Sequence, residues 1–304
     1  MAGSTSGLKY HIFIVLAGVC WGLTGLCNRF ATALGYSQEQ ILFARCIVPC
    51  VVLGVYLLVA NRSALRIKLR DLWCFLGSGL LSVTMFGLSY MHAMQEMSLS
   101  LAVVLLYTSP IFVMFLSALF FHERITRTKL TALALVIVGA LLSAGVFAGS
   151  VATTPTGIAL GITSGVGYAL YSIFSRFAFE RGYSTMTVTF YTFLFSSIAV
   201  GAVTDISGMV ALTTTLQAAG WLLALGVVTC LAPYLLYTKG LEGVENGVAS
   251  ILATVEVVVA TIMSTLVFHE PFGLMNGCGV VLLFAGIVLL NVRKNGGAVH
   301  ESTV

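Results

Sequence analysis

The 304-residue chain is 59% hydrophobic and 9% charged, with a formal net charge of +4. Soluble domains carry about 25% charged residues, so this composition excludes a water-exposed surface of ordinary polarity and describes an integral membrane protein with no separate soluble domain. The basic excess is small and sits between apolar runs, which marks one side of a membrane and excludes a nucleic-acid surface.

Ten apolar runs predict membrane-spanning helices over 10–30, 39–60, 72–92, 98–121 and 129–149, then 156–178, 186–207, 217–238, 247–268 and 272–292. Each approaches the roughly 20 residues that a bilayer core requires. The first run could pass for a signal peptide, but its internal match, given below, argues that it stays as the first helix. Arg62, Arg66, Lys68 and Arg70 follow the second run, Arg124, Arg127 and Lys129 the fourth, and Arg176 and Arg181 the sixth. Lys9, Lys239, Arg293 and Lys294 fall on the same side, and the alternate loops hold almost no basic residue except Arg29, so both termini are expected in the cytoplasm. The seven cysteines lie in or beside apolar runs and read as small buried hydrophobes. Cys46 and Cys50 share a helix face but lack the His or acid partners of a metal site.

Displacing the chain by 147 residues aligns Gly18–Ser37 with Gly165–Ser184, with nine of twenty positions identical and no gap. The same offset pairs Tyr90 with Tyr237, Gly139 with Gly286, and Ser117–Glu123 with Ser264–Glu270, both ending in Phe-His-Glu. One offset from first to last helix means two copies of a five-helix unit, residues 1–150 and 151–304. Five is odd, so the second copy enters the membrane from the opposite side. The expected fold class is therefore all-α integral membrane, ten transmembrane helices as two inverted five-helix repeats, which is a transporter's architecture.

Trp21-Gly22 in the first helix, Arg45 in the second, Ser109-Pro110 in the fourth, and Glu123 and Glu270 closing helices four and nine together resemble the drug/metabolite transporter superfamily, EamA branch. The resemblance covers nearly the whole chain and implies transport of amino acids or related metabolites, often outward. Many relatives carry Glu-Pro in the ninth helix, whereas here Val257 follows Glu256. A proline bend is therefore expected at Pro110 and is in doubt in the second half.

Glu256 is the principal candidate for chemistry. A carboxylate near the centre of a membrane helix costs about 2.5 to 3.5 kcal/mol on insertion scales, so it should face a wet cavity or a partner. It suits proton or amine binding; the plainer alternative is an acid that tethers helices. Its counterpart in the first half is Ser109, so the acid belongs to one half only. Trp21, Tyr168 and Tyr171, Tyr90 and Tyr237, Tyr234, and Tyr107 beside Ser109 form a candidate aromatic lining for an organic cation or an ammonium group. The competing reading is an interfacial aromatic belt. Asn28, equivalent to Ser175, could bond a substrate or cross a helix interface. Arg29, Glu39, Arg45 and Glu96 are candidates for an extracellular gate or for a solvated set of charges.

The two Phe-His-Glu ends read as structural: each Glu precedes a helix whose positive end favours it, and Pro271 suits a first turn. Gly157, Gly161 and Gly165, like Gly18 and Gly22, form small faces for helix packing. No phosphate-cradling loop, His cluster or nucleophile triad is present, so neither cofactor nor metal is expected. The expected function is a secondary or facilitative transporter of small organic metabolites in the cytoplasmic membrane, working by alternating access, with exchange, proton coupling and oligomeric state left open. The alternative is a membrane-embedded enzyme acting on lipids or isoprenoids, for which only the mixed-charge outer cluster speaks.

Overall fold

The computed structural model describes residues 2–143, 153–269 and 272–297. Glu270 and Pro271, and the end of the fifth predicted helix beyond Ser143, lie outside them. The described residues hold no strand, only an isolated bridge between Met97 and Thr153. The helices are α1 (Ala2–Gly22), α2 (Thr24–Ala33), α3 (Gln38–Ala60), α4 (Leu72–Leu76), α5 (Met85–Glu96), α6 (Leu99–Leu106), α7 (Ser109–Phe121), α8 (Arg127–Ser143), α9 (Pro155–Glu180), α10 (Thr185–Gly201), α11 (Ile206–Leu212), α12 (Leu216–Gly226), α13 (Ala232–Leu241), α14 (Asn246–Ala253), α15 (Val255–Phe268) and α16 (Leu274–Gly297). π-helical turns over Gly77–Thr84 and Val227–Leu231 join α4 to α5 and α12 to α13.

Seven helices, counting those joined end to end, are long and apolar enough to cross a membrane, or eight if α10 and α11 make one bent span. The seventh predicted helix ends earlier than expected. After Gly201 the chain turns by 98° into α11, because Asp205 caps the new helix, its Oδ1 accepting from Gly208 N at 3.0 Å and Ser207 Oγ at 2.7 Å. The fourth and ninth predicted helices are interrupted at equivalent places, Tyr107–Thr108 and Thr254. Proline follows the first break, as Pro110 at the start of α7. The second has none; instead the Thr254 hydroxyl donates back to the Ile251 carbonyl at 2.6 Å.

Unusual backbone recurs at the 147-residue offset. Gly35 and Gly182 have φ +94° and +83°, and His122 and His269 end α7 and α15 in the left-handed region at φ 56° and 55°. Close approaches recur too, with partners exchanged. A Cβ on Gly139 of α8 would lie 2.8 Å from the Gly279 carbonyl oxygen and 2.9 Å from Leu283 of α16; a Cβ on Gly286 would lie 2.9 Å from the Ala132 carbonyl oxygen and 2.9 Å from Val136. Gly54 faces Phe190 while Gly201 faces Phe43, and Gly79 faces Phe195 while Gly226 faces Val48. Every such pair is one contact and its image under exchange of the halves, the signature of a two-fold-related interface. Positions rise along α8 as they fall along α16, so these two helices cross antiparallel.

The glycine stripes pack as expected. Gly157, Gly161 and Gly165 seat α9 against Glu96, Leu105 and the Leu105 carbonyl. Gly18 and Gly22 bring α1 onto the Ala253 and Glu256 carbonyls, where a Cβ would come within 2.7 and 2.8 Å. The break between α14 and α15 is thus pressed against the first helix, which places Glu256.

Candidate functional site

Glu256 lies in the first turn of α15, where the unpaired N–H groups of a helix start favour a negative charge. The Tyr107 hydroxyl, at the matching break in the first half, lies beside its carboxylate. Tyr90, Tyr168 and Arg45 lie within electrostatic reach of the same carboxylate. These side chains are surrounded by protein, yet each keeps accessible surface. Together they make a polar and aromatic cluster around Glu256. Trp21 joins it, with its ring centroid 6.1 Å from Tyr168, and Phe86 contacts Tyr168 at 5.5 Å and Tyr90 at 6.1 Å.

Arg45 contacts the second half. It reaches inward, Nε donating to Cys230 Sγ at 3.4 Å, and Cys230 sits on the π-helical turn Val227–Leu231, an irregularity that often accompanies functional sites. Among the described residues no ion pair of 4.0 Å or less joins Arg45 to Glu256. One cation from the first half and one anion from the second therefore stand apart, with aromatic side chains around them. Their charges match those at the two ends of a zwitterion.

Tyr171, Tyr234 and Tyr237 are buried, at 4%, 7% and 2% exposure. Tyr171 bonds Thr238 at 2.5 Å, Tyr237 bonds Ser172 at 2.9 Å, and Tyr234 packs edge-on against Trp21 at 5.4 Å. They hold Trp21 in place. Ser109 is buried at the start of α7. Asn28, half-buried on α2, carries a buried Oδ1 with no protein hydrogen-bond partner. Of the other gate candidates, Arg29 lies over the Phe268 ring at 4.3 Å, and Glu96 accepts from Thr154 at 2.8 Å. Glu39 is half-buried in the first turn of α3, its carbonyl accepting from Thr204. Among the described residues no cluster of three or more His, Cys, Asp or Glu could hold a metal ion.

Glu123 was expected to act on the helix that follows it, and it does not. Its carboxylate crosses to the other half and accepts from Asn246 N at 2.9 Å and Gly247 N at 3.3 Å, capping α14. Glu245, at the cap position of α14, turns away to pair with the buried Lys129 at 2.5 Å. The two halves are thus tied at the base of the broken span that carries Glu256. The sequence signal was present as the shared Phe-His-Glu ending, but the partner lies 123 residues away. Glu270, the matching acid, falls outside the described residues.

Residues 8–145 and 155–292 each match the model of the EamA-like transporter family, at the 147-residue offset found within the chain. An uncharacterized transporter of Archaeoglobus fulgidus is 30% identical over 66% of this chain and 70% of its own length, and a second from that organism is 26% identical over 94% and 100%. The pseudopaline exporter CntI of Pseudomonas aeruginosa is 26% identical over 93% of this chain and 96% of its own. A crystal structure 18% identical in sequence covers 94% of this chain and 98% of its own with a TM-score of 0.75, a likeness of fold.

Proposed function

This chain belongs to the EamA-like transporter family, and on that premise we propose that it carries small organic zwitterions, amino acids or close relatives, across the cytoplasmic membrane by alternating access. The observation that carries the reading is the pair Arg45 and Glu256, one from each half, unpaired with each other among aromatic side chains. A carboxylate on the substrate meets the guanidinium in a fixed fork. An ammonium meets Glu256, with Trp21 and the tyrosines as cation–π walls. Asn28 is assigned a polar contact to substrate and Pro110 the shaping of the first broken span.

The reading includes ten spans, with α8 and α16 added to those above, arranged as inverted repeats over residues 1–150 and 151–304. The exchanged glycine contacts and the antiparallel crossing of α8 and α16 support it, because a two-fold axis perpendicular to two membrane-crossing helices lies in the membrane plane. In such an arrangement the Glu123 cap closes one side of the pathway, and Arg29, Glu39 and Glu96 belong to the other. The basic loops support cytoplasmic termini. Export is the direction assigned, by analogy with the named exporter. A thermal-shift screen of the purified protein tests the substrate class, because a ligand stabilises the native state in proportion to the logarithm of its concentration over Kd. Zwitterionic amino acids should raise the midpoint more than the matching amines or carboxylates. A response confined to amines, or to neutral compounds, refutes the reading.

A further inference from the structure

A second site lies outside the candidate transport pathway. Asn61, Ser63, Ala64, Arg66 and Lys68, from the loop after α3, face Arg181, Gly182, Tyr183, Ser184 and Thr187, from the turn between α9 and α10, across a crevice of about 350 Å³. Its wall is stapled. Thr187 Oγ1 donates to the Ala64 carbonyl at 2.9 Å, Tyr191 Oη to the Leu65 carbonyl at 2.7 Å, and the Lys68 N–H to Tyr183 Oη at 3.0 Å. The basic loop is therefore held in one path rather than waving in solvent. Loss of solvent contact raises the Tyr183 phenol above its ordinary value, so it stays a donor, and it donates to Asp71 at 2.8 Å.

The charges do not balance. Asp71 is engaged by Arg181 at 3.3 Å and Arg70 at 3.8 Å, and Glu180 by Arg176 at 3.6 Å. Arg66 and Lys68 have no carboxylate within 4.0 Å among the described residues. Beside this surplus stand apolar side chains open to the surroundings: Val59 at 81%, Leu69 at 86% and Trp73 at 40% exposure. A polar cationic crevice with an apolar rim suits an amphipathic anion better than a free one.

We propose that the crevice binds a phosphate ester and that its source is the headgroup of an anionic phospholipid, with Arg66 and Lys68 on the phosphate, hydroxyls of Ser63 and Ser184 at its edge, and Leu69 and Trp73 against the acyl chains. Two basic side chains at a membrane surface are each worth about 1 kcal/mol toward anionic lipid, so removing both weakens binding at least about tenfold.

The test uses the full chain purified in a neutral detergent, titrated with phosphatidylglycerol, phosphatidylcholine or inorganic phosphate while thermal unfolding is followed. Phosphatidylglycerol should raise the midpoint and phosphatidylcholine should not. The Arg66→Ala, Lys68→Ala double variant should shift the phosphatidylglycerol titration at least about tenfold, and Arg66→Lys with Lys68→Arg, which keeps the charge on these exposed positions, should restore it. An unchanged titration in the double variant, or equal stabilisation by phosphatidylcholine, overturns the proposal. If inorganic phosphate alone reproduces the full effect, the lipid source is overturned and the crevice belongs to soluble phosphate.

Discussion

Replacing Glu123 with Ala removes both acceptors that cap α14 from the opposite half. The 2.9 Å bond from Asn246 N is a full charge-assisted hydrogen bond, and the 3.3 Å bond from Gly247 N is a weak one. Hydrogen bonds to charged groups contribute about 1.5 to 3 kcal/mol each. Counting the first near the low end, because Glu123 is half-exposed and water replaces it, and adding a fraction for the second, gives about 2 kcal/mol. That is about 30-fold in the equilibrium between capped and open forms. Hydrogen exchange of a peptide covering Asn246 and Gly247 reads this equilibrium directly. Its rate should rise about 30-fold in the variant, while peptides from α12 keep wild-type protection. Glu123→Gln, which retains one carbonyl oxygen without the charge, should fall between. Wild-type exchange at Asn246 and Gly247 in a folded Glu123→Ala protein would refute the capping and, with it, the tie between the halves.

Three further outcomes follow from the geometry. Glu245→Ala leaves the buried Lys129 ammonium without its counter-charge, with only the Arg124 carbonyl at 3.0 Å still accepting from it, and should destabilise the protein by about 1 to 3 kcal/mol, measured by chemical denaturation, whereas Glu245→Ala with Lys129→Met should recover much of the loss. Gly139→Val and Gly286→Val each push a side chain into a backbone carbonyl across the α8–α16 crossing and should cost similar amounts, roughly 1 to 3 kcal/mol or more, because their surroundings are images of each other; a large inequality in thermal stability would break the two-fold argument. The Gly208 N–H and the Ser207 hydroxyl hold the Asp205 carboxyl below its usual range of about 3.9. Its ionised form therefore supports the α11 cap at and above ordinary carboxylate pKa, and that support is lost as pH falls through the lower folded value. Exchange protection of the Gly208 amide should fall on acidification in the wild type and be insensitive to pH in Asp205→Asn, once intrinsic exchange is corrected for.

Much of the architecture was legible in the residues because a duplication leaves a direct trace: the offset of 147 pairs helix with helix, and the structure repeats it in left-handed residues, span breaks and glycine contacts. Glu256 was legible because an acid so deep in an apolar run is too costly to leave facing lipid and must meet a cavity or a partner. Contacts across the halves were not. Glu123 has a helix start immediately after it, and sequence proximity pointed there instead of to Asn246. Arg45 lies near the predicted outer edge, and its position along the chain does not show that the packing of α3 turns it toward Cys230 and Glu256. Tyr171, Tyr234 and Tyr237 are buried while Tyr90, Tyr107 and Tyr168 keep some exposure, a difference that helical periodicity does not show. The turn at Asp205 was signalled by a Thr-Asp pair inside an apolar run.

The pairing of Arg45 and Glu256 around a zwitterion is tested most directly by binding of one amino acid, its decarboxylated amine and its deaminated acid to wild type, Glu256→Gln and Arg45→Gln. The account predicts a crossed pattern. Glu256→Gln should weaken the amino acid and the amine by about 30-fold or more, as expected when one partner of a desolvated charge pair is removed, and leave the acid nearly unchanged; Arg45→Gln should do the reverse. Equal losses for all three ligands in both variants, or no loss in either, would contradict it.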